Sequence, residues 1–131
     1  MSTIKQIASN RSFLDAQPVE IGYGTGFGGA VTQATNKATG VELNTLTGAI
    51  TMNGASLATV TAVSFTLTNS YIGANDTVVV NIKSGATANS YLVAVTAVAA
   101  GSCRIQVYNC SGGSLSEALV LNYNVIKGAA A

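Results

Sequence analysis

The 131-residue chain has no histidine and no tryptophan, a single proline, two cysteines, and charged side chains at only 8% of its positions. Each shortage excludes something. Without histidine there is no Ser-His or Cys-His couple to activate a nucleophile. Two cysteines without histidine are too few ligands for a structural zinc site. The carboxylates are Asp15, Glu20, Glu42, Asp76 and Glu117, and none stands close to another in the sequence. The chain is therefore expected not to be an enzyme and to hold no cofactor or metal.

Charge is the scarcest resource. A soluble domain ordinarily carries about 25% charged residues. Here Lys5, Arg11, Lys37, Lys83, Arg104 and Lys127 stand singly, and the net charge is +1. No basic stripe exists to meet phosphates, so nucleic acid is not an expected partner. The longest apolar run, Tyr91 to Ala100, is interrupted by Thr96. It is shorter than the roughly 20 residues a membrane helix needs, so no membrane partner is expected. The first residues, MSTIKQIASNRSFLDAQP, contain no continuous apolar segment of the secretory kind, which predicts synthesis in a cytoplasm. With so few charges the surface must be mostly Ser, Thr, Asn, Gly and Ala. Such a surface needs little desolvation at contacts and suits life in an assembly.

Cys103 and Cys110 are seven positions apart. On one continuous strand that odd separation places them on opposite faces, and two free thiols are expected; a turn between them would reopen pairing.

What is present is β-like. Residues 1 to about 20 show weak helical spacing in Ile4, Ile7 and Leu14, with Phe13 off that stripe and Pro18 closing the segment. This reads as a short helix or an extended arm. GYGTGFGGAVTQATNKATG follows, and Gly24, Gly26 and Gly29 spell GxGxxG. A phosphate cradle needs a helix after those glycines, and AVTQATNKAT has neither an apolar stripe nor strong helix formers. The glycines instead predict close backbone approach, with Tyr23 and Phe27 as two aromatic anchors. Ile4, Ile7, Phe13, Leu14, Tyr23 and Phe27 are the candidate interface residues.

From Val41 onward, alternating β-branched runs recur between turn residues. VELN and AITM predict two short strands around a hairpin or corner. VTAVSFTLT, TVVVNIK, SCRIQVYN and ALVLNYNVIK each alternate, while YLVAVTAVAA is apolar on both faces and predicts a central strand. Ser114 and Glu117 have capping-box spacing, which predicts one helical turn. The expectation is all-β: a single antiparallel sandwich of about seven strands, Ig-like or Greek-key, with an extended N-terminal arm. Residues 1–40 are expected to form the arm and Gly-rich linker, 41–127 the sandwich, and 128–131 a frayed tail. Val63, Phe65, Leu67, Val78, Val80, Ile82, Val93, Val95, Ile105, Val107, Leu121 and Val125 are expected in the core.

Three pieces, GGAVTQATNKATGVELN, SFTLTNS and AAGSCRIQVYN, resemble a recurrent small protein of tailed bacteriophages, over about Gly22 to Lys127. The resemblance implies a virion component of the capsid-decoration or head-stabilising type. It implies the major capsid protein as partner, a homo-oligomer with a trimer favoured, and a place on the capsid exterior. Similar modules occur on tail and fibre proteins, so a module binding a host-surface receptor or glycan is the alternative it implies. It brings no catalytic residues.

Overall fold

The computed structural model describes residues 20–131. Among them there is no helix. The strands are β1 (Ala30–Thr32), β2 (Val41–Glu42), β3 (Thr47–Thr51), β4 (Thr61–Thr68), β5 (Thr77–Ser84), β6 (Tyr91–Ala99), β7 (Ser102–Asn109) and β8 (Val120–Ile126). They form two four-stranded sheets, ordered β1-β3-β8-β5 and β2-β4-β7-β6. Only the β6–β7 connection stays within one sheet; every other passes to the opposite sheet.

Buried side chains of both sheets make one cluster. Strand parity explains its membership. Successive side chains point to opposite faces, so one alternate set on each strand goes in. Phe65 and Leu67 of β4, Val78 of β5, Ile105 and Val107 of β7, and Leu121, Tyr123 and Val125 of β8 are buried. Val63, Val80, Ile82, Val93 and Val95 pack against that cluster partly buried. Every expected core residue is thus in the cluster or against it. Met52, Leu57, Ile72 and Leu119, outside the long strands, close its ends.

Three expectations are corrected. The sheets are mixed, not antiparallel: β1 runs parallel to β3 and β2 parallel to β4. Each of those pairs is joined through a strand of the other sheet, which gives the length a parallel pairing requires. VELN and AITM consequently form a corner between sheets. β6 is an edge strand, with Leu92, Ala94 and Thr96 exposed, and β7 holds the interior place instead. The apolar outer face of β6 is exposed, with one leucine among small residues, and is not buried on both sides. No helical turn forms at Ser114–Glu117; Leu115 pairs in an isolated bridge with Leu57, and Ser114 is exposed. The strand count is eight because Ala30–Thr32, within the stretch read as arm and linker, pairs with β3. Cys103 is buried and Cys110 exposed, and both thiols are free.

The sheet crossings leave loop backbone groups inside, and polar side chains satisfy them. Asn69, fully buried, donates through Nδ2 to the Thr45 carbonyl at 2.7 Å and to the Tyr123 hydroxyl at 3.2 Å. That hydroxyl lies 2.8 Å from Thr45 Oγ1, so β8 is tied to the β2–β3 corner. Asn109 works likewise at the other end of the molecule. Its Nδ2 donates to Leu57 and Gly113 carbonyls at 2.9 Å, and its Oδ1 accepts from the Ser111 amide at 2.9 Å.

Parity gives a direct test with two leucines. Leu121→Ala should lower unfolding free energy by about 3 kcal/mol, because a buried leucine leaves a cavity. Leu92→Ala should change it by less than about 0.5 kcal/mol. Urea unfolding of both variants measures the difference; comparable losses would mean that the inward and outward faces are misassigned.

Candidate interaction surface

Several charges among the described residues hold loops. Asp76 is buried and pairs with Lys127. Its Oδ2 also accepts the Gly73 amide at 2.7 Å, and its Oδ1 the Gly128 amide at 3.0 Å. Lys127 donates further to the Tyr71 carbonyl at 2.8 Å. The Lys127 ammonium and then the Gly128 amide hold the Asp76 carboxyl down at about 2, against the opposing effect of burial. Glu117 takes the Thr87 amide at 3.0 Å and the Thr87 hydroxyl at 2.6 Å, which fastens the β5–β6 loop. These bonds, with the nearby Tyr91, lower its carboxyl pKa. The Tyr91 hydroxyl is itself buried without a hydrogen bond of good geometry. Arg104 lies along the outer face of its sheet and donates to Thr66 Oγ1 at 3.2 Å and Ser64 Oγ at 3.0 Å.

The strands expose few charges: Glu42 on β2, Lys83 on β5 and Arg104 on β7. On the β1-β3-β8-β5 sheet, register aligns Ala30, Ala49, Asn122 and Asn81 in one row and Thr47, Asn124 and Val79 in another. On the other sheet, Ala62, Tyr108 and Leu92 form a row, and Ser64, Gln106 and Ala94 the next. A shallow hollow of about 240 Å³ lies over Leu92, Ala94, Gln106 and Tyr108. Arg104 is the one charge on those rows and the rows beside them within β4, β6 and β7.

Exposed apolar bulk is unevenly placed. The described residues expose eight large hydrophobic side chains: Ile21, Tyr23, Phe27, Val60, Tyr71, Val79, Leu92 and Ile126. Six belong to the end of the molecule where β8 finishes. Tyr23 donates its hydroxyl to the carbonyl of Val125, which sets the Ile21–Phe27 segment against the end of β8. The Val125 amide donates to the Leu46 carbonyl at 2.8 Å, one position beyond the Thr47–Asn124 pair of the β3–β8 ladder. Ile126 and Val79 share the outer face of the β5–β8 pair as diagonal neighbours. Tyr71 is drawn to the same end by Lys127. Ile21, Tyr23, Phe27, Tyr71, Val79 and Ile126 thus stand on chain segments that meet near the end of β8, called the crest below, as does the Asp76–Lys127 pair.

Two of the sequence-derived interface residues lie in this crest: Tyr23, 39% exposed, and Phe27, 55% exposed. Ile4, Ile7, Phe13 and Leu14 lie outside the described residues. Ile21, Tyr71, Val79 and Ile126 were not singled out from sequence. Parity could have found Ile126, because Val125 beside it was assigned inward. The glycines have mechanical uses. Gly26 has a positive φ of 96°, and a side chain on Gly29 would come within 2.9 Å of Leu43 Cδ1. The latter lets the chain press against the β2–β3 corner as it enters β1.

No three His, Cys, Asp or Glu side chains come together among the described residues. No helix among them is long and apolar enough to cross a membrane. No protein-family model, curated protein or solved structure matches this chain.

The Asp76 geometry sets a pH dependence. The folded pKa is depressed, so the carboxylate stabilises the fold above the ordinary value and that contribution is lost as pH falls from about 4 to about 2. Asp76→Asn should be less stable at pH 7 and should lose less stability than wild type between pH 4 and pH 2. Thermal melts across that range measure it; parallel curves for the two proteins would show that Asp76 gains nothing from its partners.

Proposed function

We propose that this chain is a structural, non-enzymatic virion protein of a tailed bacteriophage. It binds the outer surface of the capsid and cements neighbouring major-capsid subunits, as a homotrimer. The observation that carries the reading is the crest: six of eight exposed large hydrophobic residues at one end of an otherwise almost uncharged body. A monomer that lived alone in water would scatter such side chains, whereas gathered ones favour a docking surface. The sparsely charged sheet faces add to this, since few ions need desolvating where they meet neighbours. Each contact can be modest, because repetition over a shell multiplies it through avidity.

The resemblance supports the same reading. Its GGAVTQATNKATGVELN piece spans Gly28 to Asn44, which carries β1, the loop after it and β2. We read the two sheets as a Greek-key sandwich. β5, β6 and β7 follow one another across the two sheets, and β8 returns beside β5, the order this motif takes. Rigid strands then present the crest on a fixed body.

Two measurements test the proposal. Purified virions should contain hundreds of copies of the chain by quantitative gel staining. A handful per particle would overturn capsid decoration and favour the tail or fibre role. The double variant Phe27→Ser, Ile126→Ser should stay folded and reduce binding to capsids by about tenfold or more, as loss of apolar anchors does at interfaces. Undiminished capsid occupancy would remove the crest from the contact.

A further inference from the structure

Each sheet ends in two edge strands, and an unpaired strand edge invites another strand. Three of these edges are guarded. β1 and β2 run for only three and two residues, β2 carries Glu42, and β5 carries Lys83. β6 is the exception. It runs nine residues, Tyr91–Ala99, without a charge or a proline, and among the described residues it pairs with β7 alone. Leu92, 63% exposed, stands on this strand and does not belong to the crest.

The ladders show which backbone groups of β6 are open. Hydrogen-bonded and open pairs alternate along antiparallel strands. The Cys110 amide donates to the Ser90 carbonyl at 2.9 Å, one pair before Tyr91–Asn109 in the β6–β7 register. Leu92 and Ala94 therefore bond to Tyr108 and Gln106. The β4–β7 ladder agrees. There the Asn69 amide donates to the Gly101 carbonyl at 2.9 Å, so Cys103, Ile105, Val107 and Asn109 bond to β4. Tyr91, Val93 and Val95 are left with amides and carbonyls directed away from β7. No backbone bond from another loop reaches them among the described residues. Both ends of this open stretch are marked. Asn89, with a positive φ of 63°, turns the chain just before it, and the β6–β7 register shifts between Val95 and Ala97.

We propose that β6 pairs antiparallel with β6 of a second copy of this chain, about a two-fold axis at Val93. In that register Val93 meets its own duplicate, and Tyr91 meets Val95 on either side. Each of these pairs exchanges two bonds, so about six backbone hydrogen bonds form. Sliding the register either way opposes fewer open residues. On the outer face Leu92 of one copy lies beside Ala94 of the other, large against small. The charge pattern suits a second copy. A strand that meets itself sets residues near the axis close to their duplicates, so a charge there would face a like charge, and β6 has none. The contact is self-complementary and uses up the edge, so it stops at a pair. Being two-fold, it is separate from a three-fold contact at the crest and does not rest on the capsid reading.

Disulfide trapping in the full-length chain tests the pairing and its register. Cys110→Ser removes the exposed native thiol. On that background Leu92→Cys and Ala94→Cys are made as separate variants, both at exposed positions. Directly opposed residues lie within disulfide reach, whereas each position is diagonal to its own duplicate and beyond that reach. Mild oxidation of the two variants mixed should give about tenfold more crosslinked dimer than either alone. Equal yields in the mixture and the single variants, or no crosslink in the mixture, overturn the pairing. The crosslink should persist when Phe27→Ser and Ile126→Ser are added to both partners; its loss there would mean that the crest makes the contact. Amide exchange gives a second reading on the unaltered chain. The Val93 and Val95 amides should gain protection as protein concentration rises, and no gain overturns the proposal.

Discussion

The fold depends on how its inter-sheet crossings are satisfied. A chain that passes between two sheets at almost every connection repeatedly carries loop amides and carbonyls past the core. Unpaired, each would cost more than a typical hydrogen bond gains. The solution is a small set of buried polar side chains, each serving several backbone groups. Gln33 reaches the carbonyls of Lys37 and Thr39 and the amide of Asn53. Asn69 and Asn109 do the same at opposite ends. The apolar cluster supplies the bulk of the driving force, but these amides decide where each strand enters and leaves it.

This division of labour accounts for what was legible in the sequence. The alternation of Phe65 and Leu67, of Ile105 and Val107, and of Leu121, Tyr123 and Val125 reports burial directly, because parity and burial are the same fact in a sheet with one wet face. The long strands and their inward residues could therefore be read. The pairing direction of β1 and β2 could not, since two or three residues carry no directional signal and their partners lie across the molecule. The place of β6 was misread for a related reason. Alanine and threonine on its outer face look buried to a hydropathy pattern but are merely small.

The polar loops were the least legible part. GGAVTQATNKATG has no period, so its order is invisible to any pattern of apolar residues. Its structure comes from Asn36, whose Oδ1 takes the Ala38 amide at 2.8 Å, and from Gln33 and Lys37 reaching distant backbone. Such long-range polar contacts leave no mark in local sequence. Only two of the six crest residues were visible, for the same reason. Tyr23 and Phe27 stand out among glycines, whereas Tyr71 and Ile126 reach that end through the tertiary fold.

Scarcity of free charge has a thermodynamic consequence. With Asp76, Lys127, Glu117 and Lys37 engaged within the fold, little field extends from the surface. Long-range steering is then weak, and dissolved salt has few exposed charges to screen. What remains to drive any association is release of water from apolar and amide surface. That force weakens on cooling and strengthens in the presence of excluded ions such as sulfate. The surface therefore responds to the state of the solvent more than to the charge of whatever it meets.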